Sequence, residues 1–147
     1  MRFSDMQVGD VFTAGPYEIT ETEILDFARR YDPQPFHIDK TSSEASFWGG
    51  LIASGWMTCS LAMKLCATHI LAGSGSIGGP GVEDLRWESP VRPGDRLRLT
   101  VTVLTRRMSS SGRYGVIRWR WEMHKQSDQR ALCLVVTSLF NSKEEAK

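Results

Sequence analysis

The segment from Ile52 to Leu71 is apolar on nearly every side. Wound at helical spacing, Trp56, Met57, Leu61, Ala62, Met63, Leu65, Cys66 and Ile70 leave it without a polar face. A helix of that kind has to be wrapped by other structure. The apolar run from Gly49 to Leu71 raises the question of a membrane span, but Lys64, His69 and several Ser, Thr and Gly interrupt it. Amphipathic strands follow directly, so a buried helix is the expectation. Everything after Gly81 reads as strand and turn. Val82 to Glu88 forms one strand, and Arg92-Pro93-Gly94-Asp95 is a tight turn. Leu97, Leu99, Val101 and Val103 alternate with Arg96, Arg98, Thr100 and Thr102. Ser109 to Gly112 is a hairpin loop, after which Ile117, Trp119, Trp121 and Met123 alternate with Arg118, Arg120 and Glu122. Ser127-Asp128 turns into a last, mostly buried strand from Ala131 to Phe140. The expected fold class is α+β, an antiparallel sheet wrapped around one long central helix. The 147 residues suffice for a single domain, 1–147, with a real core.

Upstream of the helix, Val8 to Phe12 reads as a turn into a short strand that Tyr17 to Ile19 continues. Thr20 and Glu23 form a capping box. The helix it opens has an apolar stripe of Ile24, Leu25, Phe27, Ala28 and Tyr31, and Asp32-Pro33 ends it. Asp39 is expected to cap a short turn through Ser43, Glu44 and Ala45, which Gly49-Gly50 breaks. Ala72 to Gly81 reads as a loop rich in Gly, Ser and Pro. The charged tail from Asn141 to Lys147 is expected to fray.

A net charge of +1 gives no global pull toward nucleic acid or membrane. The distribution is uneven. Residues 1–85 hold five Lys/Arg against eleven Asp/Glu, whereas residues 86–120 hold nine Arg against two acids. Those arginines read either as solvated strand faces or as an attraction for an anionic substrate. Cys59, Cys66 and Cys133 lie in apolar surroundings without CxxC or metal-ligand spacing, as small core residues of a reducing compartment do. The N-terminus Met1-Arg2-Phe3-Ser4-Asp5 has no long apolar run, so no signal peptide and a cytoplasmic location are expected.

Chemistry concentrates between Tyr31 and Gly55. Pro33 and Pro35 hold Asp32 and His37 five positions apart on a segment expected to be stiff and non-helical. The glycine-led start of the central helix presents free N–H groups suited to a developing oxyanion. A carboxylate, an imidazole and an N–H donor are the parts needed to add water across a polarised double bond. The plain alternative makes Asp32 a turn residue and His37 a satisfied surface histidine. His69 and His124 are isolated, and Trp48, Trp56 and Trp87 read as core aromatics or as the lining of an acyl tunnel. The run Gly73 to Gly79 lacks the strand-to-helix setting of a nucleotide fingerprint, and no metal-ligand cluster is apparent.

Three motifs in order resemble a known family: Asp32-x-Gln34-Pro35-x-His37-x-Asp39, Ile52-Ala53-Ser54-Gly55-Trp56, and Arg86-Trp87-x-x-Pro90-Val91-Arg92-Pro93-Gly94-Asp95. They resemble the MaoC-like dehydratases, which include the (R)-specific enoyl-CoA hydratases and are built on the hot-dog fold. The resemblance runs from about Val8 to Phe140. It implies that Asp32 and His37 fall on the family's catalytic aspartate and histidine. It also implies that Gly55 falls on the glycine whose N–H polarises the thioester carbonyl, with Gln34, Ser54, Trp48, Trp56 and Trp87 as candidate substrate contacts. The implied reaction is reversible hydration of a trans-2-enoyl-CoA, or dehydration of the 3-hydroxyacyl-CoA. No metal or redox cofactor is implied, coenzyme A or an acyl carrier being part of the substrate. At least a homodimer is implied, with two protomers sharing one sheet and the sites in grooves at the junction. The hot-dog fold also hosts acyl-CoA thioesterases, and a non-catalytic acyl-thioester-binding subunit is a further alternative. This sequence departs from the family at Tyr31, where a small residue is usual, at Gln34, where asparagine is usual, and at Ser54, where histidine is usual. Met63 replaces a serine found in some hydratases.

Overall fold

The structure is a computed structural model that describes residues 1–143. Residues 144–147 of the tail expected to fray lie outside the described residues, and Asn141 ends a strand instead. After a short 3-10 turn at Phe3–Asp5 come β1 (Val11–Glu18), α1 (Glu21–Tyr31), α2 (Pro35–Ile38), α3 (Ser43–Phe47) and α4 (Gly55–His69). Then follow β2 (Ser76–Trp87), β3 (Arg96–Met108), β4 (Tyr114–His124) and β5 (Arg130–Asn141). The strands form one antiparallel sheet in the order β1-β3-β4-β5-β2. The sheet's inner face meets α4, as the strand alternation demands. Leu97, Leu99, Val101, Trp119, Trp121, Met123, Leu132 and Leu134 join Met57, Leu61, Ala62, Leu65 and Cys66 in one core. Each large aliphatic side chain so buried contributes about 1.5–3 kcal/mol. Arg96, Arg98, Arg118 and Arg120 alternate with these core residues and stand on the opposite face.

Several local expectations are corrected. The segment after Asp32 is helical in part, because Pro35 at the first helical position starts the single turn α2 and carries His37 on it. Ser42, not Asp39, caps α3: its Oγ accepts from the Ala45 N–H at 3.0 Å. Asp39 sits three residues too early for that and instead accepts from Thr41 N–H at 2.9 Å and Thr41 Oγ at 2.6 Å. The central helix is shorter than Ile52 to Leu71 at both ends, running Gly55–His69, with 51–54 outside it. The glycine-rich stretch ending at Gly81 is strand from Ser76 onward; pairing with β5 overrides local composition. Nor is α4 wrapped all round. Trp56 is 57 % and Met63 48 % exposed in the protomer, and β2 is exposed along nearly its whole length.

Two braces hold the region between α1 and α4 in place. Thr20 caps α1 through the expected capping box, and α1 buries Ile24 and Ala28 before Asp32 closes it with N–H to Ala28 carbonyl at 2.8 Å. Pro33 keeps Asp32 out of helical ψ, so the chain turns outward there. The segment 51–54 is laced on both sides: Ile52 N–H donates to Phe36 carbonyl at 3.1 Å and Ala53 N–H to Val91 carbonyl at 2.8 Å. The Pro93-Gly94-Asp95 turn is itself fixed. Asp95 accepts from Arg92 N–H at 2.8 Å and Gln126 Nε2 at 2.9 Å, and pairs with Lys125 at 3.2 Å.

Candidate active site

Asp32 arrives from the end of α1 and His37 from α2, and Asp32 Oδ2 lies 3.2 Å from His37 Nε2. The two side chains are 16 % and 6 % exposed, so the pair is nearly enclosed. The segment 52–55 runs past both. His37 Nδ1 lies 2.7 Å from the Ile52 carbonyl oxygen, and Ser54 Oγ donates to Asp32 Oδ2 at 2.7 Å. Gln34 Nε2 donates to the other carboxylate oxygen, Oδ1, at 2.7 Å. Gln34, with one methylene more than asparagine, thus still reaches the aspartate.

A carbonyl oxygen can only accept, so Nδ1 carries hydrogen and donates to Ile52. That leaves Nε2 facing a carboxylate oxygen, an approach that is favourable only with one proton between them. Burial disfavours the ionised Asp32 carboxyl. Hydrogen bonds from Gln34 and Ser54 and the adjacent His37 outweigh burial, and hold the carboxyl below its ordinary range.

Gly55 follows at the first turn of α4. The N–H groups of Gly55 and Trp56 have no hydrogen-bond partner among the described residues, as the first donors of a helix do not unless capped. The Trp87 indole stands directly over Gly55, where a Cβ would collide with its ring. Trp56 meets Trp87 edge-on with ring centroids 5.1 Å apart. Trp48 lies elsewhere, in a cleft of about 400 Å³ lined by Phe36, Ser43, Glu44 and Phe47. Phe36 touches the His37 ring edge-on at 4.3 Å between centroids, so this cleft adjoins the pair. The Arg92 guanidinium donates to the Trp48 carbonyl.

Asp32, Gln34, His37 and Ser54 are therefore directly bonded, Gly55 is the next residue, Trp56 and Trp87 cover the helix start, and Trp48 is set apart. Tyr31 is largely exposed. Sequence reasoning missed the Ile52 carbonyl, Phe36 and Phe47. The aromatic pairs Phe36-His37 and Phe47-Trp48, lying in a polar stretch, were the available signal for the last two. Of the other histidines, His69 is exposed and His124 stands 3.8 Å from Glu122. Cys59, Cys66 and Cys133 are free, with burial pushing the Cys66 thiol up to about 12.

A five-stranded antiparallel sheet packed on one long helix is the hot-dog arrangement, and here a carboxylate–imidazole pair stands beside that helix's first turn. A family model described as MaoC like domain matches residues 5–118. The chain belongs to the MaoC-like dehydratase family. It is 30 % identical over 104 residues to the uncharacterized protein YdeM of Bacillus subtilis, covering 71 % of this chain and 74 % of that one. The crystal structure of a MaoC-like dehydratase from Rhodospirillum rubrum superposes with a TM-score of 0.89 at 33 % identity, over 98 % of this chain and 99 % of that one. An (R)-hydratase of Pseudomonas aeruginosa shares the fold with a TM-score of 0.75 at 22 % identity, over 99 % and 92 % of the two chains. No helix among the described residues is long and apolar enough to cross a membrane.

Proposed function

We propose that the protein is a hydro-lyase that reversibly hydrates a trans-2-enoyl thioester to the 3-hydroxyacyl thioester. The observation that carries this reading is the braced Asp32–His37 pair, 3.2 Å apart, beside the unpaired N–H groups that open α4. The water oxygen bonds to C3 and gives one proton to the pair, while the proton held between Asp32 and His37 passes to C2. The pair ends with the proton count it began with, so no metal or redox cofactor is needed. The electron pair displaced from the double bond resides on the thioester oxygen as an enolate until C2 is protonated. The Gly55 N–H and the positive end of α4 face that oxygen, a contact worth about 3 kcal/mol in the transition state. Coenzyme A or an acyl carrier is part of the substrate.

The acyl chain is assigned to the cleft of Phe36, Phe47 and Trp48. Its volume of about 400 Å³ suits a short or branched chain, and Phe47, 81 % exposed, meets Trp48 edge-on with ring centroids 5.2 Å apart, so the two form an open aromatic wall. Assembly into at least a homodimer is part of the same reading. The uncovered face of α4 with Trp56 and Met63, and the exposed strand β2, supply an apolar surface and a free sheet edge.

Incubation with crotonyl-CoA tests the reaction. Loss of enoyl absorbance without release of free thiol is the expected outcome. Thiol release instead would make the protein a thioesterase, and binding with neither signal a non-catalytic acyl-thioester subunit. Phe47→Ala is expected to shift preference along a panel of chain lengths and branching while leaving the crotonyl rate within a few-fold. An unchanged preference would move the acyl chain out of this cleft.

A further inference from the structure

Ser54 occupies the cap position of α4, yet its side chain makes no capping bond. A serine there ordinarily accepts from an N–H two or three residues on. This one is wholly buried and donates instead to Asp32 Oδ2, at 2.7 Å, across 22 positions of chain. That oxygen is the one that faces His37 Nε2, while Gln34 holds the other. We propose that Ser54 is a positioning residue for the Asp32–His37 pair, its hydroxyl locking the carboxylate in the orientation in which Oδ2 faces the imidazole. Its kinetic consequence rests on the hydratase reading; its physical one does not.

The geometry leaves no equivalent substitute. Asp32 ends a helix at a residue that Pro33 keeps out of helical conformation, so its backbone is fixed. The carboxylate can still swing about its last torsion, a soft one. Gln34 alone, bonded through Oδ1 and itself exposed, leaves that swing open; a second donor on Oδ2 closes it. The titratable group facing Asp32 is His37 on α2, and the remaining facing side chains, Gln34 and Ser54, are neutral donors. Loss of the hydroxyl therefore removes one of two neutral donors and leaves a nearly enclosed carboxylate oxygen to His37 alone. A direct role in touching substrate is not available to a hydroxyl with no exposed surface whose hydrogen is already committed.

The test uses the full chain carrying Ser54→Ala, Ser54→Gly and Ser54→Thr. The Asp32 carboxyl is followed by carbon NMR through an acid titration and assigned with Asp32→Asn. Ser54→Ala and Ser54→Gly are expected to move that titration toward higher pH, and Ser54→Thr, which keeps the hydroxyl, to hold it near wild type. With crotonyl-CoA, Ser54→Ala is expected to lower kcat by about tenfold or more, the worth of one hydrogen bond to a charged group. KM should stay within about twofold, the acid limb of the pH profile should move up, and threonine should restore both. In the Asp32→Asn background the alanine change is expected to cost nothing further. A raised KM with an unmoved Asp32 titration would assign Ser54 to the substrate. An unmoved titration with unmoved kinetics would leave it without a role. If the protein hydrates no enoyl thioester, the hydratase reading fails while the NMR titration still decides the role of Ser54.

Discussion

Asp32 and His37 are aimed at one another by an amide, a hydroxyl and a main-chain carbonyl, none of which has another evident role. Groups that work as a unit fail as a unit. Asp32→Asn and His37→Ala are each expected to lower turnover by roughly 10²–10⁴, with the double variant little worse than either. Near-normal turnover in either single variant would break the proposed chemistry. Gly55 answers to a different constraint, since the Trp87 ring fills the space its missing side chain leaves. Gly55→Val is expected to push the indole aside and abolish turnover while the fold survives, and full activity in the folded variant would remove Gly55 from the oxyanion role. At this scale Asp32, His37 and Gly55 stood out in the sequence because prolines and glycines set them apart, and the fold brings Asp32 to 3.2 Å from His37. The Ser54 bond did not stand out, because nothing local links positions 54 and 32, and the link exists only once α1 and α4 are brought together.

The turn Pro93-Gly94-Asp95 shows how elements are tied rather than what they react with. Gly94 takes φ of +86°, which suits glycine, and its N–H donates to Ile19 carbonyl at 2.8 Å. Ile19 N–H returns a bond to Asp95 carbonyl at 3.0 Å. The buried Asp95 side chain links the turn to Lys125 and Gln126 between β4 and β5. Burial opposes its ionisation, but Arg92 N–H, Gln126 and Lys125 together hold its carboxyl below the ordinary range. A group depressed in the folded state contributes stability above its ordinary value, about 3.9, and loses it as pH falls through the folded value. Thermal melts should therefore weaken below about pH 4, and Asp95→Asn should flatten that decline. Asp95→Ala at neutral pH is expected to cost on the order of 2 kcal/mol, because the half-buried Lys125 loses its carboxylate and keeps only the Pro90 carbonyl. A melting temperature unchanged in Asp95→Ala would show the turn to be held by backbone alone. The strands and α1 were legible because their burial alternates at a single period. The loop reading of Ala72 to Gly81 was not, since Gly and Pro mark breaks by local preference while β5 supplies the partners that pull Ser76 to Gly81 into the sheet.

At the scale of the whole molecule the charge asymmetry divides. Arg118 is bidentate to Glu83 at 2.9 and 3.1 Å, Arg106 lies 4.2 Å over the Phe3 ring, and Arg96, Arg98 and Arg120 face away from α4. Arg92, on the Trp48 carbonyl, adjoins the cleft assigned to the acyl chain. If it meets the carrier's phosphates, KM for a CoA thioester rises with ionic strength. A KM indifferent to salt would leave the arginines as solvated strand faces. Light scattering at micromolar concentration is expected to give a dimer, and Met63→Glu on the open face of α4 a monomer; an active wild-type monomer would reject the assembly. The same face has an optical consequence. Of five tryptophans, Trp119 and Trp121 are sealed in the core, whereas Trp48, Trp56 and Trp87 look outward. A solitary protomer should emit with a red-shifted component from the outward indoles, and dilution of an assembled sample should develop that component as the Trp56–Trp87 pair meets water. In a dimer that forms on this face, the Trp56–Trp87 pair would report association optically from the start of α4, beside the groups proposed to carry the reaction.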